Sequence, residues 1–185
     1  MNFYISDLHL GHSNIIRLNN RPFKDAIEME TTIINNWNNR VREDDNVYII
    51  GDFCYKSAQS PEYYLKQLKG NKYLITGNHD RHLLNNPDIK KYFKQITPIL
   101  FIKDNDKSVI LCHYPMIEWD GMYRDTWHIY GHIHNNTNDT YEILTKYRLK
   151  ALNAGVDVNN FMPVSFEELI VNNKNFQKAN TIIIR

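Results

Sequence analysis

No stretch of this 185-residue chain holds the roughly 20 consecutive apolar residues that a membrane-spanning helix requires. Neither sign of charge prevails, because 22 Lys and Arg against 21 Asp and Glu leave a formal net charge of +1. A surface dedicated to duplex nucleic acid carries a clear basic excess, so that partner is not expected. A small nucleotide stays open, since bound divalent cations would add positive charge that the count omits. Cysteine is scarce. Cys54 and Cys112 both lie in apolar, strand-like surroundings and read as buried reduced thiols, not as a disulfide. The first residues lack the basic segment, apolar stretch and small-residue cleavage site of a secretory leader. With the reduced thiols, this sets the expectation of a cytoplasmic protein. Internal repeats, low-complexity tracts and Pro/Gly-rich linkers are missing too. One domain over residues 1–185 is therefore expected, long enough to enclose a core.

What is present is a series of short apolar runs, at residues 3–5, 47–50, 73–75, 109–112 and 127–130, each of which reads as a strand. A helical pattern covers 26–41, where Ile27, Ile34, Trp37 and Val41 would share one face. A second helix is expected over 60–69, with Ser60 as N-cap, Pro61 at the first helical position and Gly70 just past the end. Ser165-Phe166-Glu167-Glu168 has capping-box spacing and opens a third helix ahead of Leu169, Ile170 and Val171. Residues 98–102 and 108–111 read as a hairpin around the polar turn 103–107, and 147–153 and 181–184 are further strand candidates. Strand–helix alternation followed by strand-rich sequence predicts a mixed α/β sandwich.

Each of the five strands ends in side chains that bind metals. In order these are Asp7-Leu8-His9, Gly51-Asp52, Gly77-Asn78-His79-Asp80, His113 and Gly131-His132-Ile133-His134. Strands ending this way can deliver every group to one edge, where open α/β sheets place their sites. Of only 7 glycines, Gly11, Gly51, Gly77 and Gly131 lie within two residues of a candidate ligand, as tight turns there require. Singly the motifs are weak: an Asp-x-His is commonly a surface loop, and His113 alone could be a core histidine. His132 and His134, two apart, would face the same side of an extended segment. Imidazole, carboxylate and an Asn amide without thiolate favour divalent Mn, Fe, Co, Ni or Zn over Ca or a Cys-rich zinc knot. With Asp52 as a bridge, the side chains divide into two sets, suited to two ions about 4 Å apart that clamp a phosphate.

The ordered motifs from Asp7 to Gly155 resemble those of the calcineurin-like metallophosphoesterases, in particular small bacterial and phage members. Asp7-Leu8-His9-Leu10-Gly11-His12-Ser13-Asn14, Arg21-Pro22-Phe23 and Asn153-Ala154-Gly155-Val156-Asp157 carry the closer likeness. The resemblance implies a four-layer α-β-β-α sandwich with two mixed sheets. It implies one metal held by Asp7, His9, Asp52 and His134, and a second held by Asp52, Asn78, His113 and His132. It also implies hydrolysis of a small phosphomonoester or phosphodiester, with a nucleotide or cyclic nucleotide among the candidates, by attack of a hydroxide bridging the two ions.

In that scheme His79 protonates or stabilises the leaving oxygen, and Asp80 orients its imidazole; the plainer reading of His79 is a structural residue beside the metals. His12 is a candidate for substrate contact or a loop-packing histidine. Arg81, like Arg17 and Arg21, could meet a phosphate but is expected on the solvated surface. His128 is expected to be structural, and Tyr114 and Trp119 could stack on a base or belong to the core. Two other functions compete: a nuclease acting on DNA or RNA, and a non-catalytic scaffold. Activity greater on an oligonucleotide than on small esters would favour the first.

Overall fold

The computed structural model describes residues 1–147 and 150–181. The first half alternates strand and helix: β1 (Asn2–Ile5), α1 (Ser13–Leu18), α2 (Ala26–Arg40), β2 (Asn46–Ile50), α3 (Pro61–Leu65), β3 (Asn71–Ile75), α4 (Arg81–Leu84) and, after a 3-10 segment (Pro87–Tyr92), β4 (Phe93–Thr97). The second half is richer in strand: β5 (Ile99–Asp104), β6 (Lys107–Cys112), β7 (Thr126–Tyr130), α5 (Asp139–Tyr147), β8 (Ala151–Asn153) and α6 (Phe166–Thr181). Two four-stranded sheets result, in the orders β1-β2-β3-β4 and β5-β6-β7-β8. Every pairing in the first sheet is parallel. In the second, β5 runs antiparallel to β6 while β6, β7 and β8 are parallel, so this sheet alone is mixed across its named strands.

Period-two alternation builds the layers. Phe3, Ile5, Val47 and Ile49 face Met29, Ile33 and Trp37 of α2 on one side of the first sheet. Tyr4, Tyr48 and Ile50 project from its other side onto Val109, Leu111, Ile129 and Leu152 of the second sheet. Leu144 of α5 packs on Tyr130 and Ile133 beyond that. The order is α-β-β-α, as the resemblance implied. Burial of each such side chain contributes about 1.5–3 kcal/mol, and the facing layers thereby fix the two sheets against each other.

Several local expectations meet the structure with differences. In α2 the buried stripe is Met29, Ile33, Ile34 and Trp37, while Ile27 is exposed in the first turn, at the margin of that stripe. The N-cap Asp25 accepts from Glu28 N and fixes the start. Ser60 and Pro61 begin α3 as read, but the helix stops at Leu65. Its continuation is replaced by side-chain bonds to the next carbonyls: Asn38 Nδ2 donates to Gln67 O, Trp37 Nε1 to Lys69 O, and Lys72 Nζ to Leu68 O and Gly70 O. The capping box opens α6 as expected, with Ser165 N donating to Glu168 Oε2 and Glu168 N to Ser165 Oγ. The hairpin at 99–112 also forms, turning at Asn105-Asp106. Of the candidate strand at 147–153, only Ala151–Asn153 is strand; Tyr147 ends α5, and 148–149 lie outside the described residues. Thr181 belongs to α6, and 182–184 lie outside the described residues. Both cysteines are buried and free.

Candidate metal centre

Parallel direction decides where the site lies. β1, β2 and β3 run the same way, as do β6 and β7, so the turns after their C-terminal ends gather at one edge. Those turns are tight. Asp7, His9, Asp52, His132 and His134 all take left-handed backbone, with φ of 57°, 49°, 56°, 71° and 52°. Each such non-glycine residue costs of order 1–2 kcal/mol, and strain of this kind concentrates at functional sites. The left-handed turns also correct the extended reading of 132–134. His132 and His134 diverge and serve two different groups of partners.

The first group is Asp7, His9 and His134, whose ligand atoms lie within 4.8 Å of one another. His134 Nδ1 donates to Asp157 Oδ2 at 3.0 Å, which leaves its Nε2 lone pair directed at Asp7 Oδ1, 3.9 Å away. The His9 and His134 rings stack at 5.1 Å, and both nitrogens of buried His9 lack a hydrogen-bond partner. The second group centres on Asn78 Oδ1, which lies 3.1 Å from both His113 Nε2 and His132 Nδ1. His113 Nδ1 faces Ile50 O at 2.9 Å, and a carbonyl only accepts, so the neutral ring carries its proton on Nδ1 and its lone pair on Nε2. Asp52 stands between the groups, its Oδ2 3.5 Å from His9 Nε2 and 3.6 Å from His113 Nε2.

The electrostatics follow from burial without charge compensation. Burial, together with the Asp7 and Asp80 charges, pushes the Asp52 carboxyl up to about 7, against a lesser opposing pull from His113 and the His79 amide. Burial drives His9 well below the usual imidazole range, with His134 and Arg21 adding to the fall. His132 is lowered by burial and by His113. At His134 burial works downward, but the Asp157 hydrogen bond and the Asp7 and Asp157 charges outweigh it and the net shift is up. The donor atoms of Asp52, His9, His113, His134 and Asn78 thus converge on one small volume. A divalent cation satisfies that arrangement, and borderline ions match its nitrogen and oxygen donors.

Glycine supplies space more than conformation. Gly51 has φ of +82°, and a Cβ there would overlap the His113 ring. At Gly131 the backbone is ordinary, yet a Cβ would overlap Ser6 Oγ, whose hydroxyl donates to Ile50 O, and press on Asp7 Oδ2.

The residues around the ligands take roles that their sequence context did not reveal. Asp80 is fully buried and accepts from Gly77 N, Asp52 N and Phe53 N at 2.7, 2.9 and 3.0 Å. It ties the two ligand loops together, and the expected orienting contact to the His79 ring is not among its hydrogen bonds: the carboxylate is turned to three backbone amides. His79 sits beside the cluster, its Nε2 3.9 Å from Asp52 Oδ2, its amide donating to Asp52 Oδ1 and its ring touching Tyr55 at 4.1 Å. Burial lowers its imidazole, offset in part by Asp80. His12 lies against His9 and Tyr55, with its Nδ1 buried and unpartnered.

Arg21 departs furthest from expectation. It is buried, not solvated, and its guanidinium donates to both oxygens of Asp157 at 2.8 and 3.0 Å, to Asp7 O at 2.7 Å and to Leu8 O at 3.0 Å. Arg21 and Asp157 therefore clamp the Asp7 loop to the His134 loop. The signal was present as Arg21-Pro22-Phe23 and Gly155-Val156-Asp157, but Arg21 follows a helix and not a strand. Arg17 and Arg81 are exposed as expected. Tyr114 lies at the rim against His113 and His132, whereas Trp119 is core, donating to Thr126 O. His128 is structural, its Nε2 accepting from Met116 N.

Known proteins are similar to this chain. An uncharacterized protein of Methanocaldococcus jannaschii, MJ1445, is 36% identical over 173 residues, 91% of this chain and 88% of its own length. The gene 66 protein of Mycobacterium phage L5 is 27% identical over 132 residues, 62% of this chain and 63% of its own. The crystal structure of AQ665 from Aquifex aeolicus, a protein of unknown function, superposes with a TM-score of 0.71 at 29% identity, covering 91% of this chain and 96% of that one. The family description "calcineurin-like phosphoesterase" matches residues 3–159. With most of its length so matched, the chain belongs to the calcineurin-like phosphoesterase family.

Proposed function

We propose that this chain is a dinuclear-metal phosphoesterase acting on a small phosphomonoester or phosphodiester, with nucleotides and cyclic nucleotides the foremost candidates. Asp7, His9, Asp52 and His134 would hold one ion, and Asp52, Asn78, His113 and His132 the other. The observation that carries this reading is the facing of lone pairs. His113 and His134 each commit Nδ1 to an oxygen acceptor, so in its neutral form each ring presents an Nε2 lone pair to Asn78, Asp52 or Asp7. Asp52 between the two groups suits a shared ligand. When bound, the ions, drawn from Mn, Fe, Co, Ni and Zn, supply charge neutralisation to the phosphate and an activated water.

The chain's own side chains do the rest. His79 is about one-third exposed at the edge of the ligand cluster, placed to meet the ester without being a ligand. Burial keeps it neutral in the free site; a phosphate dianion arriving beside it favours the imidazolium. His79 Nε2 then holds the proton that the leaving oxygen needs. Asp80 fixes the Asp52 and Asn78 loops through three amides, and the Arg21–Asp157 pair fixes the Asp7 and His134 loops. These residues position the ligands and do not touch the ester.

A hydrolysis panel on metal-stripped protein tests the proposal. Mono- and bis-p-nitrophenyl phosphate, 2′,3′- and 3′,5′-cyclic nucleotides and single-stranded DNA are each compared with added Mn, Fe, Co, Ni or Zn. Turnover restored by metal on small esters is expected. Faster cleavage of the oligonucleotide would move the reading to a nuclease, and silence across the panel with every metal would end it.

A further inference from the structure

Beside the ligand cluster, on the side of His79, the segment after β2 and the start of α4 enclose a cleft of about 360 Å³. That volume lies within the roughly 300–1,000 Å³ of small-molecule sites. Tyr55, Pro61 and Leu83 give it apolar walls, Lys56 and Gln59 give it polar ones, and no carboxylate lines it. Its boundary with the ligand cluster is His79, whose ring touches Tyr55 on the cleft side and whose Nε2 lies 3.9 Å from Asp52 Oδ2 on the other.

The loop forming the cleft is preorganised. An ionised Glu30 only accepts, so Tyr64 donates its hydroxyl proton to Glu30 at 2.7 Å and Ser57 donates to the Tyr64 oxygen at 2.7 Å. Ser57 Oγ in turn accepts from Gln59 N at 3.0 Å. Ser57 Oγ thus both donates and accepts within the loop, which is held before any ligand arrives. Lys56 adopts φ of 46°, a left-handed backbone costing a lysine roughly 1–2 kcal/mol, and its ammonium lies 5.2 Å from the Tyr55 ring centroid. Strain retained at a cleft-lining residue marks a place where function outweighs stability.

We propose that this cleft receives the alcohol half of the phosphoester and that this alcohol is a nucleoside. The inference rests on the phosphoesterase reading of the neighbouring metal centre. A flat base fits between the Tyr55 ring and the Leu83 and Pro61 walls, Gln59 offers a donor and an acceptor to its edge, and Lys56 favours an electron-rich or anionic group. A sugar or glycerol alcohol would leave the apolar walls unmatched, and a lipid alcohol would bury against an ammonium. His79 stands where the nucleoside oxygen departs: the water oxygen bonds to phosphorus, the phosphorus–oxygen bond to the nucleoside breaks, and the His79 Nε2 proton passes to that oxygen. The proton lost by the water returns to His79 Nε2, so the ring is reprotonated for the next turnover.

The test combines binding without metal and selectivity with it. Metal-stripped, nitrogen-15-labelled protein is titrated with adenosine and, separately, glycerol. Adenosine is expected to shift amides at 54–59 and 82–83 with millimolar affinity, and glycerol to shift none. Gln59→Trp, at an exposed loop position, fills the cleft and should weaken adenosine at least about tenfold, equivalent to roughly 1.4 kcal/mol. In Mn-loaded protein the same variant should lower the preference for adenosine monophosphate over glycerol phosphate by a similar factor. Adenosine shifts elsewhere or nowhere, with p-nitrophenyl esters still hydrolysed, overturn the nucleoside cleft and leave the phosphoesterase standing. Adenosine seated in the cleft with no ester hydrolysed supports the cleft and overturns the phosphoesterase.

Discussion

His79 and Arg21 show how differently single residues declare themselves. His79 stands out because it interrupts a run of ligand types, and its ring indeed lies beside the cluster with Nε2 turned toward Asp52. His79→Ala should cut kcat by about 10²–10⁴, the usual contribution of a positioned proton donor, while metal content by mass spectrometry stays at the wild-type value. Loss of metal instead would make His79 a ligand. Arg21 gives no such hint, since arginine in a loop reads as solvated. Its partner Asp157 lies 136 residues away, and only the folded chain joins them. Removing one member of a buried pair leaves the other charge uncompensated, so Arg21→Ala should cost about 3–5 kcal/mol in urea unfolding. Asp157→Asn leaves one neutral oxygen where Arg21 and His134 Nδ1 now share a carboxylate. Metal affinity by calorimetry should then fall about 10–100-fold, together with a loss of stability of the same sign as that of Arg21→Ala.

Among the elements, those with local chemistry were legible and those shaped by neighbours were not. The α6 capping box and the β5–β6 hairpin need only residues three to thirteen apart, and both form as read. Ser165→Ala should cost about 1 kcal/mol in thermal or urea unfolding. Helix α3 ends early because side chains from α2 and β3 take the carbonyls beyond it. Strand β4 escaped notice because Lys94 and Gln95 break its apolar pattern at an edge position. The loops after β1, β2 and β7 carry the five left-handed non-glycine residues of the site, and a glycine keeps space for them at Gly131. Gly131→Ala adds a methyl against Ser6 and Asp7, so it should destabilise by about 1–3 kcal/mol and reduce bound metal. Unchanged metal affinity in a folded variant would show that Asp7 can move aside.

At the scale of the molecule, a metal held by the converging donors would make stability depend on it. An ion that binds only the folded state at 100 times its Kd adds about 2.7 kcal/mol, so chelation should lower Tm by several degrees and metal return should restore it. A second global readout comes from His128, buried in the second sheet and held down to about 4 by burial against a usual 6.5. Below pH 6.5 the unfolded chain takes up a proton that folded His128 refuses until about pH 4. Stability is therefore lost as pH falls through that window, by up to about 3 kcal/mol at 1.36 kcal/mol per unit. His128→Asn should flatten that part of the pH–stability profile; an unchanged slope would place the sensitivity in other groups.

By itself the sequence determined the family, the ordered ligand types and the edge of the sheet at which they gather. Apolar runs of strand length followed at once by Asp, Asn and His fix all three through local spacing. Only the tertiary structure decided that His132 and His134 diverge, that Asp80 and Arg21 brace loops, and that a cleft adjoins His79. Each of these depends on contacts between segments far apart in the chain. Local periodicity has no term for which carbonyl a distant guanidinium reaches or for the volume left between two loops.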